Sequence, residues 1–427
     1  MHATHANAAE ALLVSTLLAL IVIVLVARAG NVLMRRMGQP GAIGEIVAGL
    51  LLGPSFLGAI EPDLGRALFG GPSQVPIQVM SQIGLIFLMF QIGSDFEFGH
   101  LTDRRNRRTM YLVAAVSVLV PLISGLALGQ ATASVLAPGI DPFVYSLFFG
   151  VAMAITAVPI LGRILKEFGL TRQPVGVIAI SAAAINDVVG WLLLAAVSAV
   201  ATAAFSIGGT ALQVGGVAGF AALLWFVGRP LVDRLIRAYP IEDGHLPGGL
   251  MALVMAMLFG AGICTYELGI FAIFGGFAVG LLFHRHPAFV AAWQRHVGQF
   301  VLIFFLPIFF TFTGLRTNVL GLASPGDWAS CLAILAVAIG AKIVPIYLAA
   351  RATGFGNDQA ATLGVLMNTR ALMELIVLNV GFDLGYVPQK VFTMLVIMAV
   401  ATTIMTGPLL RALRRRAGLA HAALIEA

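Results

Sequence analysis

The sequence predicts an all-α polytopic membrane protein with about thirteen transmembrane helices. Of the 427 residues, 59% are hydrophobic and only 10% are charged, whereas a soluble domain carries about 25% charged residues. The apolar residues form runs long enough to cross a hydrocarbon layer of about 30 Å as helices. The connections between the runs are short, so we expect one transmembrane domain over residues 1–427 with no inserted soluble domain.

Thirteen hydrophobic runs follow one another along the chain. The first has no Lys or Arg before it, which is a poor start for a signal peptide, so we expect a retained first span. The runs cover residues 11–34, 42–60, 76–97, 109–130, 143–165, 173–204, 210–232, 246–265, 268–284, 296–315, 328–350, 358–381 and 387–410.

The 25 Lys and Arg residues fall mostly on one side of the predicted membrane. With thirteen spans, that side receives nineteen of them and the other side only Arg66, Arg316 and Lys390, while the remaining three lie within the spans. By the positive-inside rule, this places the amino terminus outside and the carboxyl terminus in the cytoplasm of a cell (inner) membrane. The formal net charge of +6 is explained by this pattern, and we expect no nucleic-acid partner.

The sixth run carries Asn186 and Asp187 at its middle. About a dozen mostly apolar residues lie on each side of Asp187, which places its carboxylate near the centre of the bilayer. An ionisable group at that depth is expensive and by default marks a functional site. The alternative is a structural polar contact between helices.

Two runs carry polar interruptions at mid-membrane. In the fifth run, Thr156 and Pro159 stand at the centre, and a proline there removes a backbone donor. We predict a broken helix, with a simple kink as the alternative. In the twelfth run, Asn368 and Thr369 occupy the corresponding place.

Three more charges lie inside the late runs. Arg370 and Glu374 are four residues apart, so they would share a helical face and largely neutralise each other. Lys342, in the eleventh run, has no oppositely charged neighbour in its own span. It therefore needs a partner elsewhere, water, or a changed ionisation.

The fifth and twelfth runs are offset by seven positions in the order of spans, an odd number, which predicts inverted repeats. Repeat one covers about 11–204, a linker span about 210–232, repeat two about 246–410, and a short basic cytoplasmic tail 411–427. Crossed, broken helices at matching places of inverted repeats are typical of secondary transporters with a site at the midplane. Asp187 beside such a crossing suits a small cation.

Several motifs together resemble the monovalent cation:proton antiporter-2 family, including its bacterial Kef-type and plant cation/proton exchanger members. The resemblance covers residues from about 38 to 410. Its motifs are Gln39-Pro40, Gly44-Glu45-Ile46 and Leu52-Gly53-Pro54-Ser55, then Asn186-Asp187, Leu306-Pro307 through Asn318, Gly340-Ala341-Lys342, and Asn368 through Asn379.

This resemblance implies an antiporter that exchanges Na⁺ or K⁺ for H⁺, usually as a homodimer. A core domain with the crossed helices would move against a dimerisation scaffold in elevator fashion. Asp187 would bind the proton or the cation, and Thr156 and the broken part of span 12 would line the same site. Members with two acids pair the first with the lysine, whereas Asn186 carries no charge here. The resemblance therefore favours electroneutral exchange, with Lys342 paired elsewhere.

Other functional classes have weaker sequence signals. A sodium-coupled symporter of an organic anion shares the crossed-helix architecture and remains the main alternative. No channel filter motif is present, nor the His-Glu-x-x-His spacing of a zinc enzyme. We expect a transporter rather than an enzyme, with no cofactor besides the transported ions. The potassium-efflux relatives carry a cytoplasmic nucleotide-binding domain, which we do not expect in this chain.

Overall fold

The computed structural model describes residues 2–95, 104–171, 173–202, 207–268, 271–370 and 372–425. Regular structure in these ranges is helical, as predicted, with π-helical turns at Leu224–Gly228, Gln294–Gly298 and Val301–Phe305. The α-helices are α1 (His2–Arg36), α2 (Gly41–Leu51), α3 (Leu57–Ile60), α4 (Pro62–Phe69), α5 (Gln74–Ser94), α6 (Arg104–Leu136), α7 (Pro142–Ala154), α8 (Val158–Glu167), α9 (Pro174–Thr202), α10 (Ile207–Leu223), α11 (Arg229–Ala238), α12 (Gly248–Glu267), α13 (Ala272–Phe283), α14 (Pro287–Trp293), α15 (Leu306–Leu315), α16 (Pro325–Ala352), α17 (Asn357–Met367), α18 (Leu372–Asp383) and α19 (Gln389–Ile425).

Apolar helices account for most of the described chain. Ten helical segments are long and apolar enough to cross a membrane, and α2, α7 and α13 are shorter apolar helices. Each of the thirteen predicted runs overlaps one of these segments. The multi-pass helical architecture is therefore confirmed, while the number of membrane crossings stays a prediction.

Prolines lie at interruptions in two of the predicted runs. In the second run, 42–60, α2 ends at Leu51 and Pro54 lies in the turn that follows. In the tenth run, the π-helical turn at 301–305 comes directly before Pro307. A π turn shifts the hydrogen-bond register, which accommodates a residue without an N–H.

The first of two compact units contains Met1–Ala27, Ala48–Glu97 and Ala195–Leu315. Within it, α5 packs closely on α13, since a Cβ on Gly93 or Gly280 would overlap backbone of the other helix. Fully buried aromatic rings, among them Phe90 and Trp293 with centroids 4.6 Å apart, fill its core.

The second unit contains Arg28–Val47, Phe98–Leu194 and Arg316–Ala427. Its helices α6 and α7 approach closely where Gly125 faces Gly150. Helix α7 begins at an Asp141 cap, whose carboxylate accepts the first free backbone N–H groups. All nine residues predicted for the site or the breaks lie in this unit. Each unit contains residues from both predicted repeats, and the repeat boundaries stay a prediction.

Candidate functional site

Two interrupted helices of the second unit meet at their breaks. Residues 155–157 separate α7 from α8, and the non-helical residues 368–370 follow the end of α17 at Met367. The backbone N–H of Ala157 donates to the Thr369 carbonyl at 3.1 Å, so the two non-helical segments satisfy one another. The break predicted in the fifth run is confirmed, and a simple kink is wrong. Pro159 is the second residue of α8, and its side chain lies outside the described part of the structure.

The carbonyl end of α7 accepts hydrogen bonds from two buried cationic side chains. Lys342 Nζ donates to the Ala154 carbonyl at 2.6 Å, and Arg370 Nη1 donates to the Ala152 carbonyl at 3.2 Å. The last carbonyls of a helix have no helical donor and carry the negative end of its dipole. The break in α7/α8 therefore stabilises positive charge at the centre of this unit.

Lys342 is fully buried, and its ammonium group is fully bonded. Besides the Ala154 carbonyl, Nζ donates to the Ser117 carbonyl and to Thr156 Oγ1, both at 2.8 Å. Three acceptors match the three hydrogens of an ammonium group. The partner that the sequence left open is thus a set of neutral oxygens.

The Thr156 hydroxyl connects Lys342 with Asn186. Its oxygen accepts from Lys342 Nζ and from Asn186 Nδ2, the latter at 3.1 Å, and it donates to the Met367 carbonyl at 3.2 Å. One hydrogen and two lone pairs are all that a hydroxyl has. In this arrangement Thr156 orders its neighbours, and its role as a direct cation ligand stays a prediction.

Asn186 and Asp187 place three acceptor oxygens in a buried environment. Asn186 Nδ2 donates to Ser117 Oγ and Thr156 Oγ1, each at 3.1 Å, which uses both amide hydrogens. Within the described residues, Asn186 Oδ1 and both carboxylate oxygens of Asp187 have no hydrogen-bond partner. The Asp187 carboxylate faces the Val158 N–H at the amino end of α8, but outside regular hydrogen-bond geometry. It also interacts electrostatically with Lys342.

Arg370 and Glu374 form the ion pair that their spacing predicts. Arg370 Nη1 lies 3.7 Å from Glu374 Oε2, and both side chains are 0% exposed. Arg370 also donates from Nη2 to the Ala338 carbonyl at 3.3 Å. The expected shared helical face is wrong, because Arg370 lies in the break before α18 rather than on a helix.

The other two residues of this break make contacts of their own. Asn368 Nδ2 lies 3.6 Å from the sulfur of Met405, and Thr369 Oγ1 donates to the Leu366 carbonyl at 2.7 Å. The structure therefore brings Thr156, Asn186 and Lys342 into one network, while the Asn368 and Thr369 side chains are bonded elsewhere.

Sequence reasoning missed Ser117, which contacts both Lys342 and Asn186. A signal for it was available. Pro121 stands inside the fourth hydrophobic run, and a proline in a helix leaves the carbonyl four residues before it without a donor. That carbonyl belongs to Ser117.

Comparison with known proteins identifies the family to which the chain belongs. A model of the transmembrane sodium/hydrogen exchanger family matches residues 20–415. The chain belongs to this family. The resemblance inferred from the motifs is thereby confirmed, and the family is one of ion transporters.

Named relatives of this exchanger-family chain are antiporters. It is 38% identical over 392 residues to the Na(+)/H(+) antiporter NhaS4 of Synechocystis sp., covering 91% of this chain and 95% of that protein. It is 33% identical over 410 residues to Cation/H(+) antiporter 17 of Arabidopsis thaliana, covering 95% of this chain but 49% of the plant protein. The chain thus spans nearly the whole cyanobacterial relative and about half of the plant one.

A solved structure shares the fold. The sodium proton antiporter MjNhaP1 from Methanocaldococcus jannaschii superposes with a TM-score of 0.65 at 16% identity, covering 93% of this chain and 96% of that one. The family, the relatives and the fold agree, and none of them supports the organic-anion symporter.

Proposed function

We propose that this chain exchanges a monovalent cation, Na⁺ or K⁺, for a proton across the membrane. The Asp187 carboxylate would be the binding group that the two ions share. The observation that carries this proposal is the set of three buried acceptor oxygens on Asn186 and Asp187 that have no hydrogen-bond partner among the described residues. Membership of the exchanger family and the names of the relatives support the same conclusion.

The neighbouring side-chain donors of Lys342 and Asn186 are committed to other acceptors. All three hydrogens of the Lys342 ammonium and both amide hydrogens of Asn186 are in use. A buried acceptor without a partner costs about 1–3 kcal/mol, and more if it is charged. A proton satisfies the carboxylate, and so does a small cation, which binds to oxygen ligands.

The cost of moving an unpaired charge enforces exchange. With a proton or a cation bound, Asp187 is close to neutral and its unit can change its access to the two sides. The bare carboxylate beside a low-dielectric barrier opposes that movement. The carrier therefore changes the side to which its site is open only when a proton or a cation is bound.

One carboxylate implies electroneutral exchange. Asn186 has no charge to change, Arg370 is paired with Glu374, and Lys342 is held by neutral oxygens rather than by Asp187. Asp187 is then the group whose charge changes during the cycle, so one proton leaves for each cation that binds.

We infer alternating access of the elevator type between inverted repeats, with the unit that holds the crossed helices as the moving core and the other unit as the dimerisation scaffold of a homodimer. The Lys and Arg distribution supports a cell (inner) membrane location, with the amino terminus outside and the carboxyl terminus in the cytoplasm.

Proteoliposomes that contain a pH-sensitive dye test the proposal. An outward proton gradient is imposed, Na⁺, K⁺, Li⁺ or Rb⁺ is added outside, and the membrane voltage is either clamped or left free. We expect cation-dependent proton efflux that is insensitive to voltage and absent from Asp187→Asn, and the series ranks the ions.

Asp327→Asn is the matched control. Asp327 is a largely buried carboxylate in the first turn of α16, where it accepts from the N–H of the Ser324 N-cap and pairs with Lys390. Asparagine keeps an acceptor oxygen for that capping box. Exchange by this variant should remain. Cation-dependent exchange that persists in Asp187→Asn would reject the proposal, and proton flux that no cation triggers would favour the symporter.

A further inference from the structure

A proline frees one carbonyl in the middle of α6. Pro121 lies within this 33-residue helix and has no N–H to donate to the carbonyl of Ser117, four residues earlier. Ser117 is 0% exposed, so water does not replace the missing donor. A buried carbonyl of this kind needs a partner from another part of the chain.

Lys342 supplies that partner. Its Nζ donates to the Ser117 carbonyl at 2.8 Å, although 225 positions separate the two residues. The freed carbonyl thus provides one of the three acceptors that hold the buried ammonium.

The hydroxyl of the same residue holds Asn186. Ser117 Oγ donates to the Ala114 carbonyl at 2.9 Å, so its lone pairs remain free to accept, and one of them accepts from Asn186 Nδ2 at 3.1 Å. The second acceptor for this amide, Thr156 Oγ1, also donates its own hydrogen elsewhere. Both hydroxyl oxygens can therefore only accept from Asn186, which fixes the end of the amide that carries the nitrogen. No described residue donates to the other end, Asn186 Oδ1.

A second proline of this unit acts in the same way at a distance from the site. Pro408 lies inside α19 and leaves the Ile404 carbonyl without a helical donor, and Gln39 Nε2 donates to that carbonyl at 3.4 Å. This pair offers a matched control, because it repeats the arrangement without contacting Asn186 or Lys342.

We propose that Ser117, with its carbonyl freed by Pro121, is a positioning residue for exchange. Its hydroxyl orients the Asn186 amide so that the amide oxygen is available to the cation, and its carbonyl fixes the Lys342 ammonium. This inference rests on the proposed function, because it assigns Ser117 a role in cation binding at the Asp187 site.

Two variants separate the two roles of Ser117. Ser117→Ala removes the hydroxyl and keeps the carbonyl, so the orientation of Asn186 is lost. We expect the KM for the cation to rise about fivefold, with little change in the maximal rate, since one neutral hydrogen bond is lost. Ser117→Thr keeps a hydroxyl and should restore the KM.

Pro121→Ala instead restores an N–H that competes with Lys342 for the Ser117 carbonyl. Because the Lys342 charge acts on Asp187, we expect the pH profile of exchange to move by about half a unit. The KM for the cation, measured at each variant's own optimum, should stay near that of the wild type.

The experiment measures KM, maximal rate and pH profile in proteoliposomes for these variants and for two controls. Ser146→Ala removes another buried hydroxyl, which bonds to the Pro142 carbonyl, and Pro408→Ala alters the Gln39 pair. Both controls should leave the KM and the pH profile unchanged. Because α6 variants could fold poorly, each protein is first checked for monodisperse elution.

A double-mutant cycle with Asn186→Ala provides a further arm. Once the amide is gone, adding Ser117→Ala should raise the KM no further. An unchanged KM in Ser117→Ala, or fully additive effects with Asn186→Ala, would overturn the positioning role while wild-type exchange stands. Exchange that survives in Asp187→Asn would overturn the proposed function and this inference together.

Discussion

Two carboxylates are buried in the same unit, and they differ in what surrounds them. Glu374 has a cation of its own, since Arg370 lies 3.7 Å away and is also fully buried. Among the described residues Asp187 forms no ion pair of this kind, and the nearby Lys342 ammonium is bonded to three neutral oxygens. Burial alone therefore does not identify the group that exchanges ions. The difference supports the proposal that Asp187 binds a proton or a cation in turn, and it favours a structural role for Glu374.

Of the variants at these two carboxylates, Asp187→Asn should have the largest effect on exchange. Exchange in proteoliposomes should fall to background because the shared binding group is gone. The protein should nevertheless unfold at the same temperature or a higher one, since a neutral amide costs less to bury than an unpaired carboxylate. Thermal unfolding in detergent checks this, and a clear loss of stability would show that Asp187 is structural too.

Glu374→Gln should show the opposite behaviour. Without its counter-charge, Arg370 remains buried and unpaired, and breaking a buried pair in this way costs about 3–5 kcal/mol. We expect a large fall in unfolding temperature, and we expect the molecules that remain folded to keep their KM for the cation.

The matched control for Glu374→Gln is Asp383→Asn. Asp383 pairs with Arg316 at 2.6 Å, but the two side chains are 27% and 16% exposed. Because solvent partly screens this pair, its loss should lower the free energy of unfolding by only about 1 kcal/mol. If both variants lost similar stability, the contrast between a buried pair and a partly exposed one would fail.

Thr156→Val should have an intermediate effect on stability. Valine keeps the shape but removes one donor and two acceptor positions, which leaves Lys342, Asn186 and Met367 each short of a partner. We expect a loss of about 2–3 kcal/mol, measured by thermal unfolding. Thr156→Ser should recover most of it, and a failure to recover would mean that the methyl group, not the hydroxyl, matters.

Sequence patterns predicted the parts of this site that depend on local chemistry. A carboxylate within a long apolar run marked Asp187, and a proline at mid-span predicted the break that contains Thr156. These features are visible because burial depth and helix breaking follow from a few neighbouring residues.

The bonding within the site could not be predicted in the same way. The acceptors of Lys342 lie 186 to 225 positions away in the chain, so only the fold brings them to it. The position of Arg370 in a break, rather than on a helix, also depends on the contact between the two interrupted helices. Ser117 is an intermediate case, since Pro121 predicts that the Ser117 carbonyl lacks a helical donor but does not predict which group donates to it instead.

The number of protons released when a cation binds shows whether one carboxylate serves both ions. Purified protein in weakly buffered detergent, above the pH at which Asp187 deprotonates, should release none. At a lower pH, saturating Na⁺ or K⁺ should release up to one proton per chain, and Asp187→Asn should release none. Release of two protons per chain, or undiminished release from Asp187→Asn, would contradict a single carboxylate shared by the two ions.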